Sequence, residues 1–263
     1  MAERESLRAV FDDVADVYDR IRPTYPPELF QDLATVVTIN QGSRLLEIGC
    51  GTGQATLPLA EFGCHVSAVD LGANMVRIAR RKLDRFRRVE VHHATFEDWP
   101  LPEQAFDVVF CATAFHWIDP ATRYVKSAGA LRTGGILATI STTHVRGGSR
   151  RFFEASRSCY HRYGPPQLRH LRLPTAAEVQ RHDGQDKYAE EFFDRVLTRT
   201  YERDVCYTAD EYLDLLSTYS DHRALPRRDR VRLLSCISRL LEQEPSGSVT
   251  KRYLFELMLR RRR

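Results

Sequence analysis

The 263-residue sequence has no apolar run long enough to form a membrane-spanning helix, so we expect no membrane partner. Its first six residues, Met-Ala-Glu-Arg-Glu-Ser, are charged where a signal peptide would be apolar, from which we expect a cytoplasmic protein. With 43% hydrophobic residues, the chain can bury one large core and a small appended lobe. These features are typical of a globular protein of enzyme size.

The sequence also lacks a Cys-x-x-Cys pair. Its six cysteines stand far apart, and several fall in predicted strands or in a glycine-rich turn. We interpret them as reduced core thiols and expect no metal site and no disulfide. They occupy positions 50, 64, 111, 159, 206 and 236.

No large excess of one charge is present, since the formal net charge is only +4. Basic residues nevertheless cluster at positions 77–88 and 260–263. Such clusters can bind nucleic acid, but no aromatic-interleaved binding motif accompanies them. We interpret the first cluster as the solvated face of a helix and the second as a frayed tail. Nucleic acid is therefore not an expected partner.

The most informative segment runs from Leu45 to Gly53, where an apolar strand leads into three glycines at alternate positions and then into a helix. Glycine adopts backbone angles closed to other residues and lets a ligand approach the main chain. The amides of such a turn favour a negative group such as a carboxylate. A second apolar run ends in Asp70, 17 residues after Gly53, at the place where a ribose would lie. We interpret the two features as an adenosine site.

The glycine spacing argues against a dinucleotide cofactor. A dinucleotide fingerprint has glycine at its first, third and sixth positions, whereas here Gln54 is sixth and Gly53 is fifth. The pattern Glu47-x-Gly49-x-Gly51-x-Gly53 resembles the first motif of the S-adenosylmethionine-dependent methyltransferases. The resemblance implies S-adenosyl-L-methionine as cofactor, with its methionine part on the turn and its ribose hydroxyls on Asp70.

Strand and helix patterns alternate from Arg44 to Thr142, which is typical of a parallel sheet with helices on both faces. We predict strands at 44–48, 65–69, 89–92, 106–111 and 136–140, then at 193–207 and 249–258. Helices are predicted at 54–62, through 75–83, at 152–163 and 228–241, with capping boxes at Thr175 and Thr208. Together with the resemblance, this predicts a doubly wound, mostly parallel seven-stranded α/β sheet, the Rossmann-like methyltransferase fold, with an antiparallel edge hairpin and a helical cover.

Four segments follow from this organisation. Residues 1–40 are predicted to form an N-terminal helical cap, and residues 41–142 the core that binds S-adenosylmethionine. Residues 143–192, rich in Arg, Gly, Pro and aromatics, are predicted as a helical cover over the ligand cleft. Residues 193–263 would complete the same sheet domain.

Open α/β sheets bind ligands beyond the carboxyl ends of their strands, where the strand order reverses. Many members of the family that this sequence resembles carry an aspartate that contacts the adenine, where this chain has Thr95. We therefore expect a backbone amide of Phe96 or Glu97 to contact the adenine. Packing in the core is the alternative role of Phe96 and our preferred role for Trp99. This rule and the resemblance predict a set of cofactor-binding residues: Glu47, Gly49, Cys50, Gly51, Gly53, Asp70, Met75, Thr95, Phe96, Glu97 and Ala112.

Two further segments, Phe115-His116-Trp117 and residues 17–26, resemble the type 11 and trans-aconitate methyltransferases, which act on small molecules. The resemblance implies that the N-terminal segment folds over the cofactor, with Tyr18 and Arg22 closing the site. Arg22 would pair with the methionine carboxylate or a substrate acid, or would instead hold the first helix to the sheet. The predicted substrate residues are Tyr25, His116, Trp117, His144, His222 and Arg223.

Methyl transfer from a sulfonium is an in-line displacement, which needs alignment and a dry pocket. A carboxylate acceptor is its own nucleophile, whereas a phenol, alcohol or carbon acid must lose a proton, and His116 is the candidate base; it would otherwise orient the substrate or pack. We therefore predict a methyltransferase for O- or C-methylation of a small-molecule acceptor, carboxylates included. Two alternatives stay open: a tRNA or protein methyltransferase using the basic surface, and a non-catalytic cofactor-binding regulatory subunit. No oligomeric state follows from the sequence.

Overall fold

The structure is a computed structural model that describes residues 11–170, 172–181 and 187–263. The first ten residues of the predicted cap lie outside the described residues. The same holds for position 171 and residues 182–186 of the predicted cover. None of the described helices is both long enough and apolar enough to span a membrane.

Seven strands of the described chain form one sheet, in the order β3-β2-β1-β4-β5-β7-β6. Neighbouring strands from β3 to β5 pair in parallel, and the far edge carries an antiparallel strand, so the predicted fold is confirmed. The strand bounds are β1 Arg44–Ile48, β2 His65–Asp70, β3 Val89–His93, β4 Phe106–Ala112, β5 Leu131–Val145, β6 Phe193–Thr208 and β7 Ser248–Arg262.

The helices begin where sequence signals place them in several cases. The Thr208 hydroxyl accepts a hydrogen bond from the Glu211 amide, and the Glu211 carboxylate accepts one from the Thr208 amide, which confirms the predicted capping box. Thr175 and Glu178 form the second capping box. The α-helices are α1 Ala15–Ile21, α2 Pro27–Val36, α3 Thr56–Ala60, α4 Ala73–Leu83, α5 Pro120–Ala130, α6 Arg150–Tyr163, α7 Ala176–Arg181, α8 Lys187–Glu190, α9 Ala209–Ser217, α10 Ser220–Arg223 and α11 Arg227–Leu241.

The chain divides into two compact units. The first unit comprises the described parts of Met1–Pro23, Thr143–Asp183 and Glu202–Leu254. The second unit comprises the described parts of Thr24–Thr142, Gly184–Tyr201 and Phe255–Arg263. The parallel strand pairs lie in the second unit, which therefore contains the glycine turn and the strand ends that follow it.

Burial explains why the parallel strands form where they do. Every residue of β4 except Asp107 is buried, as expected for a strand covered on both faces. Leu46, Val109 and Leu137 from three neighbouring strands belong to one hydrophobic cluster of the second unit. The loops that follow β1, β2 and β4 begin at the carboxyl ends of these strands.

The fifth strand is longer than predicted. It begins at Leu131, not at Ile136, because residues 132–135 bulge from the ladder: Phe106 pairs with Leu131, whereas Val108 already pairs with Ile136. Arg-Thr-Gly-Gly has the composition of a turn, so sequence patterning favoured a loop there. The first helix after the glycine turn, α3, is in contrast shorter than its predicted range of 54–62.

The C-terminal arginines are part of the sheet, so the prediction of a frayed basic tail is wrong. Arg260 lies within β7 and is only 7% exposed. The Arg262 guanidinium donates to the Leu131 carbonyl, and Arg263 forms an ion pair with Asp194 at 2.8 Å. A run of four arginines is typical of a solvated segment. The prediction failed because the partners that bind two of these arginines are distant in sequence.

The prediction of six reduced thiols is also wrong. Cys159 of α6 and Cys236 of α11 form a disulfide in the first unit, with Cα atoms 5.8 Å apart. The two helices pack together although 77 residues separate the cysteines, and such a distant contact leaves no spacing signal in the sequence. Cys50, Cys64 and Cys111 are free and buried as predicted, whereas Cys206 is free and exposed.

We expect four free thiols in the denatured, unreduced protein and six after reduction, because two of the six cysteines are paired. Cys159→Ser should lower the free energy of unfolding by roughly 2–4 kcal/mol under oxidising conditions, since the disulfide closes a long loop. Cys206→Ser, at the exposed thiol, is the control and should leave stability unchanged. A count of six thiols without reduction would contradict the disulfide.

Candidate functional site

The glycine turn between β1 and α3 adopts the backbone conformation that glycine alone takes readily. Gly49, Gly51 and Gly53 have φ angles of +68°, +55° and +82°. The amides of Gly49 and Cys50 both donate to the Val69 carbonyl, at 2.8 and 3.2 Å. The turn is thereby anchored to the end of β2.

Each of the three glycines has a different steric reason. A Cβ on Gly49 would lie 2.5 Å from the Cβ of Ala114, and one on Gly53 would lie 3.2 Å from the Leu83 side chain. A Cβ on Gly51 would meet no described atom within 4 Å. Gly49 and Gly53 are therefore required for packing, whereas Gly51 presents bare main chain to open space.

The Asp70 carboxylate is bonded to the same turn. Its Oδ2 accepts from the Gly51 amide and its Oδ1 from the Gly72 amide, both at 2.8 Å. A carboxylate has about four acceptor sites, so these two bonds orient the group and leave acceptor capacity for hydroxyl donors. Asp70 therefore lies at the end of β2, where main-chain amides, among them that of the glycine turn, orient its carboxylate.

Glu47, the acid of the motif, is only 1% exposed. Burial raises the pKa of its carboxyl to about 8, the Thr56 hydroxyl opposes that rise, and the nearby Asp70 adds to it. Its Oε2 has no hydrogen-bond partner among the described residues, and the same is true of the Thr52 hydroxyl. Buried polar atoms without partners are rare in proteins, so this cluster is suited to a polar ligand or bound water.

Two free thiols lie within electrostatic reach of these acids. Burial raises the pKa of the Cys50 thiol well above its usual range, and Asp70 and Glu47 add to that effect. Burial, with Glu47 as the next cause, also raises the pKa of Cys111. Both thiols are therefore protonated at neutral pH, which excludes them as nucleophiles. Within the described ranges, no group of three His, Cys, Asp or Glu side chains is arranged to hold a metal ion.

The loop after β3 carries the residues predicted to flank an adenine. The Thr95 hydroxyl donates to Asp98 at 2.7 Å and accepts from the Asp98 amide at 3.1 Å, so it stabilises a local turn. The Phe96 ring is buried in the core cluster, and Trp99 packs against the same cluster. With the Phe96 side chain in the core, any contact of Phe96 with a base edge would come from its main chain. Met75, another predicted residue, is buried in the first turn of α4.

The loop after β4 contains a feature that sequence patterning missed. Thr113 directly follows Ala112, the last residue of β4, and has φ of +57°, which is rare for a β-branched residue. Its hydroxyl lies 3.1 Å from the Tyr25 hydroxyl and 3.0 Å from the Thr142 hydroxyl. A chain of three hydroxyls therefore marks the ends of β4 and β5, and it includes the predicted residue Tyr25. A lone threonine after a strand carries no signal of this role.

A 3-10 turn over Phe115–Trp117 holds the predicted His116. Its ring lies 4.8 Å from the Trp117 ring. Desolvation and the Arg123 guanidinium lower the pKa of His116 below its usual value, and because more than a third of the residue is exposed, water limits the shift. The imidazole is consequently neutral at pH 7 and able to accept a proton.

The other predicted residues belong to the first unit. Arg22 donates to the hydroxyl and the carbonyl of Thr218, at 2.9 and 2.8 Å, and lies over the rings of Tyr18 and Tyr219. Arg223 forms an ion pair with Asp13 at 2.9 Å. The predicted role of Tyr18 and Arg22 over the cofactor stays a prediction.

Both histidines predicted for the first unit are largely enclosed. His222 is 2% exposed, and its Nε2 lies 3.0 Å from the Tyr160 hydroxyl. The His144 ring lies 4.6 Å from the Phe153 ring. Each has a buried ring nitrogen without a partner among the described residues, Nδ1 of His222 and Nε2 of His144. Their predicted contact with a substrate stays a prediction.

Comparison with known proteins agrees with this architecture. Residues 46–139 match the model of a family described as a methyltransferase domain. An uncharacterized methyltransferase of Mycobacterium tuberculosis is 34% identical over 140 residues, which are 53% of this chain and 55% of that protein. A demethylmenaquinone methyltransferase of Clavibacter sepedonicus is 35% identical over 146 residues, 53% of this chain and 60% of that protein. The chain thus spans just over half the length of these curated relatives.

A solved structure extends the likeness to nearly the whole chain. A protein provisionally assigned as a type II methyltransferase, from Anaeromyxobacter dehalogenans, is 27% identical. The match covers 91% of this chain and 97% of that one, with a TM-score of 0.64. The strand order and the glycine turn define a class I methyltransferase fold. Residues 46–139 are thus similar to a methyltransferase domain, and the chain has the fold of the class I methyltransferases.

We expect the glycines of the turn to differ in how much stability they contribute. Gly49→Ala should lower the free energy of unfolding by about 3 kcal/mol, because backbone strain adds to a clash with Ala114. Gly51→Ala should cost only about 1 kcal/mol, from backbone strain alone. Gly247→Ala is the matched control, since Gly247 has φ of +62° and open space around its Cβ position. Equal losses for Gly49→Ala and Gly51→Ala in urea unfolding would contradict this assignment.

Proposed function

We propose that this protein is an S-adenosylmethionine-dependent methyltransferase that methylates oxygen or carbon on a small-molecule acceptor, carboxylates included. One observation carries the proposal: the bare main chain at Gly51 is hydrogen-bonded to the Asp70 carboxylate, so a backbone cradle and a sugar-binding acid stand side by side. The names of its relatives support the reaction class, and the demethylmenaquinone methyltransferase among them supports a small-molecule acceptor.

The second unit has groups that suit each part of this cofactor. Asp70 would accept from the ribose hydroxyls, and the turn amides would face the methionine carboxylate. The buried Glu47 Oε2, which has no partner among the described residues, would accept from an ammonium group, whose positive charge would favour the ionised form of this otherwise largely protonated carboxyl. When bound, S-adenosylmethionine supplies a methyl group on a positively charged sulfur. The sulfur is the leaving group and needs no acid catalysis.

The protein's own task is then to align the acceptor, exclude water and take a proton where one must leave. His116 is neutral at pH 7 and follows β4, so it is our candidate for that base or for an orienting group. The Tyr25, Thr113 and Thr142 hydroxyls would hydrogen-bond a polar acceptor at the same strand ends. A carboxylate acceptor would need no base.

Nucleic acid is not a partner in this proposal. Two residues of the basic stretch are engaged within the protein: Arg80 donates to the Val91 carbonyl, and Arg88 donates to the Gln41 and Gly63 carbonyls. These contacts support a structural role for part of the basic stretch. We also propose a cytoplasmic location, in which the Cys159–Cys236 pair would be an uncommon disulfide.

The decisive experiment combines binding and transfer. The wild-type protein should bind S-adenosylhomocysteine in calorimetry and should transfer a labelled methyl group from S-adenosylmethionine to a compound in a metabolite extract. Gly51→Ala should lower the affinity at least tenfold, because its Cβ would occupy the space beside the bare main chain. Gly247→Ala should keep wild-type affinity at a similar cost in stability.

Three outcomes would contradict parts of the proposal separately. Absence of heat with either cofactor form would remove the cofactor site. Binding without a labelled product from any extract would favour the regulatory subunit. Label in tRNA or protein, with an affinity for tRNA that falls as salt rises, would favour a macromolecular acceptor.

His116→Asn should separate the two types of acceptor. With an acceptor that must lose a proton, we expect kcat to fall about 10²- to 10⁴-fold; with a carboxylate it should change little. The wild-type kcat/KM should rise with pH, with its midpoint below pH 6.5, and then level off, because the pKa of His116 lies below that ordinary value and only the neutral ring accepts a proton. His65→Asn, at an exposed histidine at the start of β2, is the control. An unchanged kcat with a phenol or alcohol acceptor would exclude His116 as the base.

A further inference from the structure

The first unit contains a buried lysine without an acidic partner. Lys251 of β7 is 3% exposed, and its ammonium donates to the Tyr219 hydroxyl at 2.7 Å. An ammonium has three donors, and among the described residues no other acceptor and no carboxylate contacts it. Burying an unpaired charge costs several kcal/mol, so this arrangement calls for a compensating group.

Aromatic rings surround the ammonium but do not neutralise it. Its nitrogen lies 5.1 Å from the centre of the Tyr219 ring and 5.0 Å from that of Tyr253. The Tyr253 hydroxyl in turn lies 3.2 Å from the Tyr207 hydroxyl. Cation–π attraction contributes about 2 kcal/mol even when desolvated, which is less than the cost of burial. We call Lys251, Tyr207, Tyr219 and Tyr253 the tyrosine cluster.

A second cation lies beside the same ring. The Arg22 guanidinium carbon is 4.6 Å from the centre of the Tyr219 ring, on a side chain held by Thr218. Burial, Lys251 and then Arg22 lower the pKa of His222 to about 4. Burial and then Lys251 lower the pKa of His144 to about 2. Both imidazoles are therefore neutral and contribute no charge beside Lys251.

Negative charge near the tyrosine cluster is limited. Burial would raise the pKa of Tyr219, but Lys251 and Arg22 outweigh it and lower that pKa, so the phenol is the nearest group that can supply a negative charge. Glu211 is a carboxylate whose charge acts on the cluster, through Tyr207. His222 Nδ1, buried and without a described partner, provides a further polar atom next to the Tyr219 ring, at a ring separation of 5.5 Å.

We propose that the tyrosine cluster binds a small organic carboxylate, whose charge is held by the Lys251 ammonium and the Tyr219 hydroxyl and whose apolar or aromatic body packs on the neighbouring rings. A carboxylate would accept from the donors of the ammonium that have no described acceptor and would balance the charge. An aromatic body suits the tyrosine walls, since such rings favour edge or offset contact. The proposal concerns the first unit alone and does not depend on methyl transfer.

Calorimetry without S-adenosylmethionine tests it, with benzoate as the probe and benzamide as its neutral isostere. The wild-type protein should bind benzoate saturably and benzamide at least tenfold more weakly. Lys251→Met should weaken benzoate binding at least tenfold, whereas Lys251→Arg should keep it within a few-fold. Arg228→Met, which removes an exposed arginine of α11, is the matched loss of one positive charge and should leave the affinity unchanged.

Thermal melting provides the second measurement. Without ligand, Lys251→Met should melt at or above the wild-type temperature, because a buried uncompensated charge is gone. Benzoate should raise the melting temperature of the wild type and of Arg228→Met but not that of Lys251→Met. If Lys251→Met does not fold, Lys251→Gln, which retains a donor for Tyr219, takes its place.

The proposal is overturned if benzoate does not bind the wild type, if benzamide binds as tightly, or if the neutral variants at position 251 bind benzoate as the wild type does. These results are independent of the cofactor experiments. A protein that fails to bind S-adenosylhomocysteine can still bind benzoate through Lys251, and the reverse result is equally possible.

Discussion

The hydrogen bond from the Gly51 amide to the Asp70 carboxylate is the contact on which the candidate site depends. It joins the loop after β1 to the end of β2, and Val69 adds two further bonds between the same segments. Parallel strands bring their carboxyl ends to one edge of a sheet, but they do not by themselves orient the loops there. This contact does so, because it fixes an acid and an exposed stretch of main chain in one orientation.

The fold and the conformation of the glycine turn could largely be predicted, because both have short-range signals. Gly49, Gly51, Gly53 and Asp70 lie in a pattern whose spacing reflects steric need, and the structure gives each a distinct reason. The capping boxes at Thr175 and Thr208 are equally local. The misses are long-range: Cys159 meets Cys236 across 77 residues, and Arg262 finds its acceptor at Leu131. Residues 132–135 were missed for another reason, since a bulge and a turn use the same amino acids.

The two units differ in how they handle buried polarity. In the second unit, the Glu47 Oε2 and the Thr52 hydroxyl are buried and have no hydrogen-bond partner in the part of the chain that the structure describes, beside a turn that exposes its amides. In the first unit the buried polar groups carry excess positive charge. Lys251 and Arg22 both lie within 5.1 Å of the centre of the Tyr219 ring, and two neutral histidines are nearby. The periodicity of β7 indicates that position 251 faces inward, but nothing in the sequence predicts a lysine there. Polar atoms that the fold itself does not satisfy are the common element, and each proposal assigns them a ligand of matching charge.

The backbone of Thr113 has a consequence for the energetics of any acceptor bound at the end of β4. A threonine in the left-handed region is strained by about 1–2 kcal/mol, and the rest of the second unit must sustain that strain. The hydroxyl shared with Tyr25 and Thr142 is therefore held in place by folding free energy. An incoming molecule meets a dipole that is already oriented. Little reorganisation of the site would therefore oppose its binding or its reaction.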